Sequence, residues 1–219
     1  MKIRFRLRLL VLIYRHVWFL PLIPLVILYV LMPVSGELIG QASGKEEAAV
    51  FLRSALHFLL PAFGPVLMFP YLSAWIGSDA KEALHSGNRR RNCLPEVILL
   101  LSAYGVSVFP GILLLRVVSG LSPEEYLAFL SELLFFAALV YLFALLFRNT
   151  MMGILPGMLY MFFCMMFHRD SSMQGLCLLR PDQETTAGTL LIRSLPLAMI
   201  SLMLLIGAGL LEKRQSKVV

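Results

Sequence analysis

The sequence predicts an all-α, polytopic membrane protein with six transmembrane helices and both termini in the cytoplasm. Three observations carry that expectation. Of 219 residues, 59% are hydrophobic and only 15% charged, against about 45–50% and about 25% in a typical soluble domain. The chain therefore lacks the polar surface to cover itself in water, which excludes most soluble enzyme folds and any spacious extramembrane catalytic domain. Six apolar stretches each reach the roughly 17–25 residues that a helix needs to cross a ~30 Å hydrocarbon core. Lys and Arg are distributed unevenly between the segments that join those stretches. The net charge of +6 would point to nucleic acid in a soluble chain; here it reads as cations held on the cytoplasmic side, with no nucleic-acid partner.

In order, the apolar stretches are Val17–Val34, Ala55–Ile76, Val97–Leu115, Tyr126–Phe147, Met151–Phe167 and Leu195–Leu211. The first reads as a retained helix. It is too long for a signal-peptide core, and Met32-Pro33-Val34 at its end offers no small-residue cleavage site. Residues 1–16 form a basic cytoplasmic or interfacial segment in which Arg4, Arg8 and Arg15 share a helical face, as a membrane-surface helix would place them. With the N-terminus inside, thirteen Lys and Arg fall on the cytoplasmic side. Lys45, Arg53, Arg169, Arg180 and Arg193 fall outside, and Arg116 lies at a helix end. That bias sets the orientation.

The connections are unequal. Residues 35–54 and 168–192 read as long outer loops, 119–125 as a tight outer turn, 77–96 as the one substantial inner loop, and 212–219 as a cytoplasmic tail. Ser122-Pro123-Glu124-Glu125 reads as a helix start: Ser can cap, Pro suits the first turn, and the carboxylates favour the positive end of the helix dipole.

Within the helices, Pro61, Pro65 and Pro70 concentrate in the second span, which predicts a bend or break there, while the fourth has none. Ala103, Ser107 and Gly111, and Gly153 with Gly157, place small residues at four-residue spacing, where helix backbones approach closely. Arg116 and Glu132 are the ionisable residues closest to or inside the spans. The short 119–125 turn joins their helices, so they read as a possible intramembrane ion pair, because an unpaired charge in lipid costs roughly 2.5 kcal/mol or more.

Catalytic and metal motifs are absent from the sequence, and the chain reads as non-enzymatic. His16, His57, His85 and His168 are dispersed without HExxH or a Cys/His cluster. Cys93, Cys164 and Cys177 form no CxxC, and spacing does not decide between free thiols and a Cys164–Cys177 bridge. Gly40–Lys45 is one residue short of a phosphate loop, and Glu46 stands where Ser or Thr belongs. Glu124-Glu125 opens a membrane helix as in CAAX-type proteases. The Arg expected after it is missing from Tyr126–Leu130, and no His follows on an adjacent helix in a suitable setting.

The inner loop is the informative segment. Ser78 or Asp79 can cap a short helix over residues 80–85, ended by Gly87 or Asn88, with Ala80, Ala83 and Leu84 on one face. Arg89-Arg90-Arg91 then meets the inner lipid headgroups. With this loop and the six-span layout in place, the whole chain resembles the ABC-2 type permease subunits of ABC transporters. The basic N-terminal segment, the lone inner loop between spans two and three, the short third-to-fourth turn, the Leu146–Thr150 stretch and the apolar Ser172–Leu179 stretch carry the likeness.

The resemblance implies a coupling helix at Ser78–Asn88, with Asp79, Glu82, Leu84, His85 and Gly87 as its contacts to an ABC ATPase. The family's familiar Glu-Arg-x-x-Gly-Thr arrangement is not reproduced here. It further implies a second permease subunit, as a homo- or heterodimer, in a multi-pass complex of the cell membrane in contact with lipids. ATP and Mg would bind the separate ATPase and no cofactor would bind this chain. The competing reading is a non-transporting immunity or assembly protein that binds partners through the 77–96 loop.

Overall fold

The computed structural model describes residues 11–76, 93–167, 177, 179 and 185–215. Among these, all regular structure is helical, and six helices are long and apolar enough to cross a membrane. They are α1 (Leu22–Ala42), α2 (Lys45–Ile76), α3 (Leu94–Ser119), α4 (Glu124–Phe147), α5 (Thr150–Phe167) and α6 (Leu190–Arg214).

The helices outrun the apolar stretches, α2 most of all. Its first ten residues, KEEAAVFLRS, are helix formers of mixed polarity. Glu46 and Glu47 lie in the first turn, where the positive end of the helix dipole favours them. Residues 35–54 are therefore not a loop: α1 and α2 form a helical hairpin reversed at Gly44, whose φ of 103° is accessible to glycine at no steric cost. At about 1.5 Å per residue, the 32 residues of α2 span roughly 48 Å. That exceeds a ~30 Å bilayer core. Likewise α6 begins inside the segment expected to be the 168–192 loop and runs into the expected tail.

The prolines leave a regular signature. Three π-helical turns, Ile27–Leu31, Ala55–Leu59 and Leu190–Ser194, each end two residues before a proline: Pro33, Pro61 and Pro196. A proline ring collides with the carbonyl four residues back and supplies no N–H. Widening the preceding turn moves that carbonyl aside while the helix continues. So α2 is one continuous helix with a wide turn, not the broken one that its prolines suggested. Pro65 and Pro70 lie within its α-helical portion. The proline-free α4 is α-helical throughout.

α4 is the central post. It packs against α2, α3, α5 and α6, while α1 lies outside against α2 and α3. Its most apolar window is 67% buried, against 22% for each of α1, α5 and α6. Those three keep wide apolar faces. Close approach to α4 comes from small residues: a Cβ on Gly153 would stand 2.7 Å from the Ala144 Cβ and 2.8 Å from the Val140 carbonyl oxygen. The Gly153/Gly157 pair thus packs within the chain, as Gly111 does against Leu28 of α1. Tyrosines add cross-ties. Tyr29 donates to the Ser107 carbonyl (2.8 Å), Tyr104 to that of Leu60 (2.9 Å) and Tyr126 to that of Gly105 (3.0 Å). Each phenol satisfies its polar tip on a neighbouring helix backbone.

The turn chemistry differs from expectation at one point. α4 starts at Glu124 without a side-chain cap, and Ser122 Oγ donates instead to the Thr185 carbonyl (3.0 Å). Between α4 and α5, Arg148 adopts a left-handed φ of 52° and Asn149 Oδ1 accepts from the Met151 N–H (2.9 Å).

Gly153→Ala is expected to destabilise the bundle by about 1–3 kcal/mol, because its new methyl meets α4 backbone that must shift. Gly207→Ala, whose added carbon meets nothing within 4 Å, is expected to be silent. Thermal unfolding in detergent checks this, and equal melting of the two variants would contradict the packing described.

Candidate functional site

Four charged side chains are buried together where α2 meets α4. On α2, Arg53 and His57 are one helical turn apart and share a face; on α4, Glu125 and Glu132 are two turns apart and share the facing stripe. All four are at most 6% exposed. The imidazole of His57 lies between the carboxylates, with Nδ1 2.7 Å from Glu132 Oε2 and Nε2 2.7 Å from Glu125 Oε2. Arg53 Nε donates to Glu125 Oε1 at 3.0 Å. Thr185, from the segment entering α6, donates its backbone N–H to Glu125 Oε1 (3.2 Å) and its hydroxyl to Oε2.

Glu125 thus accepts four hydrogen bonds, which fills the acceptor capacity of a carboxylate. Ionised carboxylates only accept, so two of them facing the two ring nitrogens are satisfied when both nitrogens carry protons. Then Arg53 and His57 balance Glu125 and Glu132, and the cluster is neutral. The π turn Ala55–Leu59 contains His57, so the backbone widening that Pro61 imposes falls at the residue that bridges both carboxylates. Beside the cluster lies a narrow polar cleft lined by His57, Ser131, Glu132, Thr185, Thr189 and Arg193. Both ring nitrogens and both Glu125 oxygens are engaged within the protein. In this arrangement the cluster ties α2 to α4, with Glu132 and His57 also lining the cleft.

A third carboxylate organises the opposite end. Glu212, near the end of α6, accepts from the Cys93 N–H at the start of α3 (Oε1, 2.7 Å) and from the Tyr141 hydroxyl of α4 (Oε2, 2.7 Å). Tyr141 is fully buried and Cys93 nearly so. Outside the spans, the Tyr14 phenol donates to the Leu67 carbonyl, and its burial raises its pKa above the usual phenol value.

Of the residues singled out from sequence, Asp79, Glu82, Leu84, His85 and Gly87 lie outside the described residues, as do positions 1–10 of the basic segment. Arg116 and Glu132 are not brought together. Arg116 is exposed in the last turn of α3, where the negative end of the helix dipole suits a cation, whereas Glu132 points inward to His57. Arg53, His57 and Glu125 were missed as partners. The first was counted among the outer-loop cations, the second among dispersed histidines, and the third as a helix-start carboxylate. A histidine does meet Glu125, but it comes from α2, two spans earlier. The legible signal was the spacing: Arg53/His57 and Glu125/Glu132 are same-face pairs of opposite charge on two helices. No protein-family model, curated protein or solved structure matches the chain.

Glu125→Ala is expected to cost about 3–5 kcal/mol, since it strands buried Arg53 and His57. Arg116→Gln should leave stability unchanged. Melting curves of the detergent-purified variants compare the two, and a silent Glu125→Ala would show that the cluster does not hold α2 to α4.

Proposed function

We propose that the chain is the membrane-spanning subunit of an ABC-2 type exporter. It would sit in the cell membrane with both termini cytoplasmic, paired with a second permease subunit and driven by a separate ABC ATPase that binds ATP and Mg. The observation that carries this reading is the unbroken run of α2. One helix leads from Ile76, where the 77–96 loop begins, to Arg53 and His57 in the buried cluster. Over the 23 residues between Arg53 and Ile76 that is about 35 Å.

In this mechanism, closure of the ATPases moves the loop through Asp79, Glu82, Leu84, His85 and Gly87. The displacement travels along α2 as a rigid rod to the charged cluster at the outer end. There, sliding of α2 against α4 exchanges the Arg53–Glu125 and His57–Glu132 bonds and opens a path between the two subunits. The wide apolar faces of α1, α5 and α6 support the reading, since they suit lipid and a neighbouring subunit. The chain makes and breaks no covalent bond of the substrate. Motor energy arrives through the loop, and the cluster sets the resistance that it works against.

The tagged full-length chain, solubilised from its native membrane, is expected to copurify with an ABC ATPase. Leu84→Glu and Glu82→Lys should weaken that association about tenfold or more, equivalent to ~1.4 kcal/mol, without lowering the amount of chain in the membrane. Isolation of the chain with non-ATPase partners alone would favour the immunity or assembly reading and sink the transporter.

A further inference from the structure

Cys164 lies in the last turn of α5, and Cys177 lies in the stretch that leads on to α6. Thirteen positions separate them, yet the structure brings both into one small cluster with Phe58 of α2, Phe136 of α4 and Leu179. Both are unbridged in the structure, Cys164 fully buried and Cys177 2% exposed. Both side chains pack in this cluster, with Tyr160 against it. This is the end of the bundle that also holds Thr185 and Arg53, the end that the cation distribution assigns to the exterior.

We infer that Cys164 and Cys177 are a modification site: a dithiol that closes to an intrachain disulfide and ties the stretch ahead of α6 to the end of α5. Cysteines packed in one cluster meet the first requirement of a bridge, whereas cysteines set far apart cannot be bridged without moving backbone. An oxidising exterior favours the bridge, and a small-molecule disulfide suffices as oxidant while the chain folds, before the two side chains are buried. One cysteine thiolate attacks oxidised glutathione, which forms a mixed disulfide and releases one glutathione thiolate. The second cysteine, deprotonated, attacks the protein sulfur of that mixed disulfide and releases the second glutathione. The protein loses two protons and two electrons, and glutathione disulfide becomes two thiols.

The bridge has a local consequence. Cys177 is eight positions before Thr185, whose two hydrogen bonds complete the Glu125 carboxylate. Anchoring Cys177 to α5 fixes a point eight positions before Thr185 in the sequence. The Cys164–Cys177 bridge stands independently of the exporter reading, because it depends on the contact between the two side chains and not on any partner.

The test uses the full-length chain in its membrane, with thiols trapped by acid and then counted under denaturing conditions with a mass-tagged maleimide. The chain has three cysteines. When the chain is synthesised and isolated with oxidised glutathione present, one tag is expected, on Cys93, rising to three after dithiothreitol under denaturing conditions. Cys164→Ser and Cys177→Ser should each form no intrachain bridge, the remaining thiol being either tagged or carried as a glutathione adduct identified by its mass, and Cys93→Ala should go from none to two. Three tags on the wild-type chain synthesised with oxidised glutathione present would overturn the inference. So would a bridge that survives Cys164→Ser, or a product of doubled mass on a non-reducing gel in place of the intrachain form.

Discussion

The structure depends on cancelling charge where water is scarce. An isolated ion near the middle of a membrane helix costs roughly 2.5 kcal/mol or more, and this chain buries four ionisable side chains in one place. They are tolerable because each supplies what another lacks. Arg53 and His57 donate, Glu125 and Glu132 accept, and Thr185 fills the remaining capacity of Glu125. The interaction is directional, unlike the apolar packing around it. It fixes which face of α2 meets α4, and so the rotation of a helix whose Leu60–Ile76 portion is nearly uniformly apolar.

The same logic recurs at the other end with different atoms. Glu212 joins α6 to the first turn of α3 and, through Tyr141, to the middle post. Between these two carboxylate ties, α4 is held by contacts that bring backbones close, as at Gly153. Hydrophobic attraction between helices is weak when lipid tails compete as equals. Polar ties at both ends and small residues between them are the terms left to define the bundle. The π turns serve that arrangement. They let prolines sit in long helices without interrupting them, and in α2 the wide turn falls on His57.

How much of this was legible follows from range. The helices were readable because the length and apolarity of each are local properties; all six appear, with ends extended where helix-forming polar residues continue the pattern, as in Lys45–Ser54. The site was not, because its bonds join residues 68 to 75 positions apart. Sequence proximity favoured Arg116 for Glu132, since one short turn links their helices. A helix-end cation already has the helix dipole and an exposed position to satisfy it, while Glu132 on the buried stripe needs a partner inside. Residue-by-residue bookkeeping also separated Arg53 from His57 by assigning them to a loop and a span. One continuous helix puts them on a single face.

Rigidity and polarity together constrain how such a bundle can move. A helix of 32 residues without a break links its two ends directly. Motion of α2 relative to α4 must therefore be paid for at the charged cluster, and there only by exchange of partners, because a vacated charge in apolar surroundings is far more costly than a shifted hydrogen bond. The polar cleft beside Glu132 matters in this light. Ser131, Thr189 and Arg193 lie within it, so a sliding His57 or Glu132 meets hydroxyls and a guanidinium instead of lipid. Under the proposed function, that cleft makes the open arrangement affordable, and the four-charge lock makes the closed one the resting state.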